Sequence, residues 1–175
     1  MDNVSVRALE HAQWQDLFKI RLEAVTKHPN YFLSSPEETK ELTEEEWKRR
    51  IKSDNSRAFG LFDDDKLIGI TGIFISEEKP NAACLVMSYI KEEYRGRGYS
   101  KLFYEARINW AIEQNALEII KVCHRDGNKP SKAAILKHGF KFIGTDEIDW
   151  PDGTRDTEYQ YELDLSILRN PHRVV

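Results

Sequence analysis

Arg95, Gly96, Arg97, Gly98, Tyr99 and Ser100 lie between an apolar run and an amphipathic one, and their types suit phosphate binding. Glycines let a strand-to-helix turn aim backbone amides at one point, and the positive end of the following helix dipole adds to the attraction. A Walker-type loop needs a Gly-Lys-Ser/Thr ending, and the dinucleotide fingerprint needs a third glycine where Lys101 stands, so neither class fits. What remains is an anion cradle, and no other segment offers one of this quality. The formal net charge of -4 argues against an extended nucleic-acid surface, which draws its affinity from clustered Lys and Arg. Any nucleotide held here is small.

Such a turn needs a strand before it and a helix after it. Residues 83–90 are β-rich, and Leu102, Phe103, Ala106 and Trp110 fall on one helical face. Ile119, Ile120 and Val122 then form an all-apolar strand core, which makes a βαβ unit with parallel strands. Upstream, Val4, Val6 and Leu9 alternate with polar residues as a short strand does, and Trp14, Leu17, Phe18, Arg21, Leu22 and Val25 recur at helical spacing. His28, Pro29 and Asn30 end that helix, and 31–42 reads as a loop. Thr43 with Glu46 forms a capping box that starts a second helix near Glu44. Residues 58–62 and 67–75 form a hairpin across 63–66, and a turn at 77–81 leads into 83–90, giving a three-strand antiparallel meander. Further on, 131–138 reads as a short helix stopped by Gly139, and 140–148 pairs with 157–165 across 150–153.

The chain has 175 residues, 40% of them hydrophobic, and neither repeats nor a low-complexity linker, which suits a single domain over 1–175. No stretch approaches the roughly 20 apolar residues that span a bilayer, and residues 1–10 lack a basic region leading into an apolar run. A soluble, cytoplasmic protein without a membrane partner is expected. Cys84 and Cys123 sit inside apolar runs and read as two buried thiols in a reducing compartment, with no metal site.

The run from Ile90 to Tyr99 resembles the central motif of the GNAT superfamily of N-acetyltransferases, R/Q-x-x-G-x-G/A after a strand. Arg95 and Gly98 match, and Ser100, small enough to keep the amides accessible, stands where Gly or Ala is usual. Asn128, with Ser131 three residues on and Gly139-Phe140 closing the short helix, resembles the family's N-x-x-S/A segment. The resemblance covers 83–140 closely and the whole chain in element order. It implies a mixed α/β (α+β) fold, with a mostly antiparallel sheet of about seven strands, about four flanking helices and one parallel βαβ unit at the cofactor site. It implies acetyl-CoA as cosubstrate, with the backbone of Ser88, Tyr89 and Ile90 pairing with the pantetheine arm. Arg95, Gly96, Arg97, Gly98, Tyr99 and Ser100 hold the pyrophosphate in this reading, and Asn128 reaches the pantetheine. The acceptor is a primary amine on a small molecule or a protein N-terminus, and a homodimer is compatible with the family.

Acyl transfer to an amine needs a neutral amine, a polarised thioester carbonyl and a protonated leaving thiolate. Many relatives place a Tyr acid seven residues after the Asn, where this chain has Ile135. Relatives that modify protein N-termini often carry a Ser in the position of Ser131, whose hydroxyl can serve the sulfur directly or through water. His124, at the end of the strand core, is one candidate base, with an ordinary pKa near 6.5. Glu147 and Asp149, near the turn before the last strand, are alternatives acting through water. The acidic cluster Glu37, Glu38, Glu41, Glu44, Glu45 and Glu46 either attracts a cationic amine or complements a helix dipole. The tryptophans read as packing. Two functions follow: an acetyltransferase working by direct attack in a ternary complex, or an acyl-CoA sensor that binds without the chemistry.

Overall fold

The computed structural model describes residues 3–170; of the expected domain, residues 1–2 and 171–175 lie outside the described residues. A short strand β1 (Val4–Ala8) leads into helix α1 (Trp14–Lys27), which turns Leu17, Ile20, Ala24 and Val25 inward at helical spacing. The expected loop at 31–42 contains a further helix, α2 (Pro36–Glu41). Its start is encoded locally: Ser35 Oγ accepts from the Glu38 amide at 3.1 Å, Glu38 accepts from the Ser35 amide at 2.8 Å, and Pro36 opens the helix. Helix α3 (Glu44–Ile51) begins with the expected box, in which the Thr43 amide donates to Glu46 at 2.7 Å, and it buries Trp47 and Ile51.

The remaining strands are β2 (Lys52–Ser53), β3 (Ser56–Asp63), β4 (Lys66–Ile75), β5 (Ala82–Ile90), β6 (Ile119–Arg125), β7 (Lys141–Asp149) and β8 (Arg155–Asp164). They form one eight-stranded sheet in the order β1-β3-β4-β5-β6-β8-β7, with β2 beside β3. All pairs are antiparallel except β5 with β6. Helix α4 (Ser100–Glu113) makes the crossover between those two, α5 (Lys129–Lys137) follows β6, and α6 (Leu165–Arg169) closes the described chain. α2 and α6 account for the six helices seen among the described residues where about four were expected.

Helices cover both faces of the sheet centre, so β3 is buried nearly throughout. Ala58 and Phe62 pack with α1 and α3 on one side, while Leu61 meets Phe103 of α4 on the other. Fully buried Leu117, Ile120 and Ile135 join the β5 and β6 ends into the main core, each burial stabilising by about 2 kcal/mol.

The parallel ladder is short. Only Ala82, Ala83 and Cys84 pair with Ile119, Ile120 and Lys121, and beyond them the two strands part. The cause lies in β5, where Tyr89 faces Ile70 and Val86 faces Gly72, so three steps of β5 oppose two of β4. Met87 takes up the extra residue at φ +58°, and such a bulge bends its strand away from its neighbour.

Candidate active site

Parting of β5 from β6 opens a cleft of about 1320 Å³. Leu85 to Ile90 line one wall and Val122 to Arg125 the other. β5 pairs with β4 along one edge, while no strand among the described residues pairs with the edge of residues 85–90 that faces β6. An extended, amide-bearing ligand can add there as another strand.

That open edge runs into the turn at 95–100. Gly96 and Gly98 hold φ +75° and +80°, where a side chain is strained, and a Cβ at either would meet no protein atom within 4 Å. The glycines therefore serve backbone conformation and leave the approach to α4 open. The amides of Lys101 and Leu102 turn back onto the carbonyls of Gly98 and Tyr99, and the α4 dipole points its positive end at the cleft. The Arg95 side chain folds back rather than outward: Nε donates to the Ile90 carbonyl at 2.7 Å and Nη2 reaches His28 Nε2 at 3.0 Å. Burial, then Arg95 beside it, hold the His28 pKa below its ordinary value, against the Glu92 carboxylate 3.2 Å from the same ring nitrogen. Tyr99 and Ser100 line the cleft, and the Arg97 Nη2 donates to the Glu93 carbonyl at 3.1 Å.

At the other wall Asn128 caps α5, its Oδ1 accepting from the Ser131 amide at 3.3 Å, and both side chains line the cleft. The cap leaves the Asn128 amide NH₂ for a ligand. Ile135 is 0% exposed and belongs to the core, so no hydroxyl stands at the position of the usual tyrosine.

His124 lies in the cleft wall at 6% exposure, with both nitrogens engaged. Nδ1–H donates to the Arg125 carbonyl at 2.8 Å, and Nε2 shares a hydrogen bond with the Tyr161 hydroxyl at 2.9 Å. Stacking on Tyr159 at 5.2 Å fixes the ring further. Glu147 and Asp149 do not border the cleft. β8 lies between β7 and β6, and the two carboxylates turn to Thr157 (2.5 Å) and Arg155 (3.3 Å). The carboxylate that does enter the wall is Glu158 of β8, opposite Arg125 and 6% exposed. The thiols also differ from expectation: Cys84 is half-buried and Cys123 is exposed at the cleft. Surrounding protein, then Glu158, push the Cys123 thiol well up, so it stays protonated and is a poor nucleophile.

At the end of this wall, Arg125 ties the β7–β8 turn to the α1–α2 loop. It pairs with Asp152 at 2.6 Å and Asp156 at 2.9 Å, donates to Thr154 and to the Asn30 carbonyl at 3.2 Å, and lies over the Trp150 ring at 4.8 Å. Of the acidic cluster only Glu46 borders the cleft, and its carboxylate is used by Thr43. The cluster serves helix starts. Arg21, Arg49 and Arg50 line this end instead.

A model of the acetyltransferase (GNAT) family matches residues 14–140. The chain belongs to the GNAT acetyltransferase family. Among solved structures, a GNAT-family acetyltransferase from Streptococcus pneumoniae has TM-score 0.79 and 21% identity, over 93% of this chain and 99% of that one. A spermidine N-acetyltransferase from Vibrio cholerae, in complex with CoA and spermine, has TM-score 0.74 and 16% identity, over 95% and 98%. A ribosomal L7/L12 alpha-N-protein acetyltransferase in complex with coenzyme A has TM-score 0.74 and 14% identity, over 92% and 93%. No curated protein sequence matches at a significant level. No described helix is long and apolar enough to cross a membrane.

This GNAT chain holds its β5 bulge with a residue that sequence reading passed over. Arg107 of α4 is 1% exposed; its Nη1 donates to Ser88 Oγ at 2.9 Å, and Ser88 shares a second hydrogen bond with Thr71 at 2.9 Å. Burial pulls the Arg107 pKa down to about 10, still charged at neutral pH. A signal was available: an arginine four residues after Phe103 and four before Ala111, on the face that α4 buries.

Proposed function

We propose that this enzyme transfers an acetyl group from acetyl-CoA to a primary amine, on a small molecule or a protein N-terminus, by direct attack within a ternary complex. The observation that carries this reading is the open edge of β5, followed after one short 3-10 turn at Glu92–Tyr94 by the glycine turn at the start of α4. Acetyl-CoA supplies the thioester as an activated electrophile. The chain's part is to hold and orient: backbone of Ser88, Tyr89 and Ile90 along the pantetheine, the 95–100 turn and α4 dipole on the pyrophosphate, the Asn128 amide across from them.

In the chemical step the amine nitrogen bonds to the acetyl carbon and the carbon–sulfur bond breaks. Glu158 takes the proton from the amine, directly or through water, and releases it to solvent; the Ser131 hydroxyl relays a proton to the sulfur, giving up its own while taking one from water. His124, committed on both nitrogens, positions the wall between them. The protonated, weakly nucleophilic Cys123 argues against a covalent acetyl-cysteine relay. We place the reaction in the cytoplasm, in keeping with two unpaired thiols. The buried Ile135 favours one second reading, a sensor that binds acyl-CoA without turnover.

Calorimetric and thermal-shift titration with acetyl-CoA tests the reading. Saturating ligand at 100 times Kd should stabilise the protein by about 2.7 kcal/mol. An Arg95→Ala, Gly98→Asp double variant should bind at least about 100-fold more weakly, because a carboxylate then faces the helix dipole. No binding by the native protein would sink the proposal, and binding without acetylation of any amine would favour the sensor.

A further inference from the structure

Arg21 sits on α1 with its guanidinium over the Phe32 ring at 4.4 Å. It is 7% exposed, it borders the cleft, and its Nη1 is buried without a hydrogen-bond partner. No carboxylate among the described residues forms an ion pair with it, and the charge that acts on it is that of Arg50, of the same sign. Burial first and Arg50 second pull its pKa down to about 10, which leaves it cationic at neutral pH. The carboxylates that border the cleft do not answer this charge: Glu46 is held by Thr43, Asp54 and Glu77 form no ion pair with it, and Glu158 stands on β8. Phe32 and Met87 pack against one core cluster, which places Arg21 on the side of the β5 bulge.

A buried, unpaired charge destabilises a fold unless something pairs with it, and a guanidinium matches a carboxylate in shape and in hydrogen bonds. Resting on the acetyl-transfer reading above, we infer that the acceptor is a small primary amine carrying a carboxylate, which seats against Arg21 with Arg50 and Arg49 at its rim. The amine end then turns toward Glu158, so the cleft presents a cation and an anion to the two ends of a zwitterion. Polyamines, with no anion to offer, leave Arg21 unpaired and add like charge beside it.

The test measures CoA thiol release after acetyl-CoA binding has been established. The panel holds the α-amino acids, β-alanine, 4-aminobutyrate and 5-aminopentanoate, with their primary amides, decarboxylated amines, spermidine and O-phosphoethanolamine. At least one carboxylate-bearing amine should exceed its own amide by about 100-fold in kcat/KM, because the amide leaves the guanidinium unpaired. Arg21→Met should bring that acid down to the level of its amide, mainly through KM. The same variant should keep acetyl-CoA affinity within about two-fold and melt no lower than the native protein, since the unpaired buried charge is gone. Should Arg21→Met fold poorly, Arg21→Lys decides the point: it keeps the charge, loses the planar fork, and should retain only part of the preference. Spermidine, an amide or O-phosphoethanolamine as the best acceptor overturns the inference. Loss of acetyl-CoA binding in Arg21→Met also overturns it and gives Arg21 to a cofactor phosphate. Acetyl-CoA binding with no turnover of any carboxylate-bearing amine overturns it too, whereas no acetyl-CoA binding at all removes the transfer reading itself.

Discussion

At the α4 end of the cleft, the groups that face a ligand are backbone: the unpaired edge of residues 85–90, the amides of the glycine turn and a helix dipole. At the α1–α3 end they are side chains, Arg21, Arg50, Trp150 and Glu158, brought from four separate elements or turns. In the proposed function the first construction takes what is constant in a ligand, an extended amide chain and a phosphate. The second takes what varies, the charge and shape of an acceptor. It is held in place by side-chain pairs, above all those of Arg125 with Asp152 and Asp156, and so it is open to change by single substitutions.

The largest effect that would sharpen this contrast is at Glu158. Glu158→Gln should lower kcat by about 100-fold, while acetyl-CoA affinity stays within about two-fold. Glu147→Gln, one strand away from the cleft, should leave all of these unchanged; a loss there equal to that of Glu158→Gln would break the assignment.

Ser131→Ala should be milder, about 10-fold in kcat, because water can stand in for the hydroxyl as proton donor, and Asn128 still caps α5. A fall in acetyl-CoA affinity without change in kcat would make Ser131 part of the cofactor end. The smallest effect is on pH. Hydrogen bonds from Thr154, then Arg125, hold the Asp152 carboxyl at about 2, below its ordinary 3.8. A depressed carboxylate stabilises the fold above its unfolded pKa and stops doing so as pH falls through the folded one. Melting temperature should therefore drop more steeply between about pH 4 and pH 2 in the native protein than in Asp152→Asn. Equal slopes would show that the pair contributes nothing to holding the turn.

How much of this was legible in the chain differs element by element. The Thr43 box and the turn at Gly139, which adopts φ +85°, are local events that residue types alone encode. α2 carried the same kind of local signal in Ser35, Pro36 and Glu38, and reading 31–42 as loop missed it. The bulge at Met87 had no signal: a methionine at φ +58° is an unfavourable local choice imposed by the β4 pairing and by Arg107 behind Ser88. Glu147 and Asp149 were chosen by nearness in sequence to the final turn. Sheet order moved them, because β8 inserts between β6 and β7.

Sequence by itself determined the glycine turn, its strand and helix, and hence the family, because backbone amides of consecutive residues need only local conformation to converge. Tertiary structure decided which acid and which cation are buried at the cleft. Arg21, Arg125 and Glu158 are far apart along the chain, and charge acquires its role only where folding removes water and sets the partner.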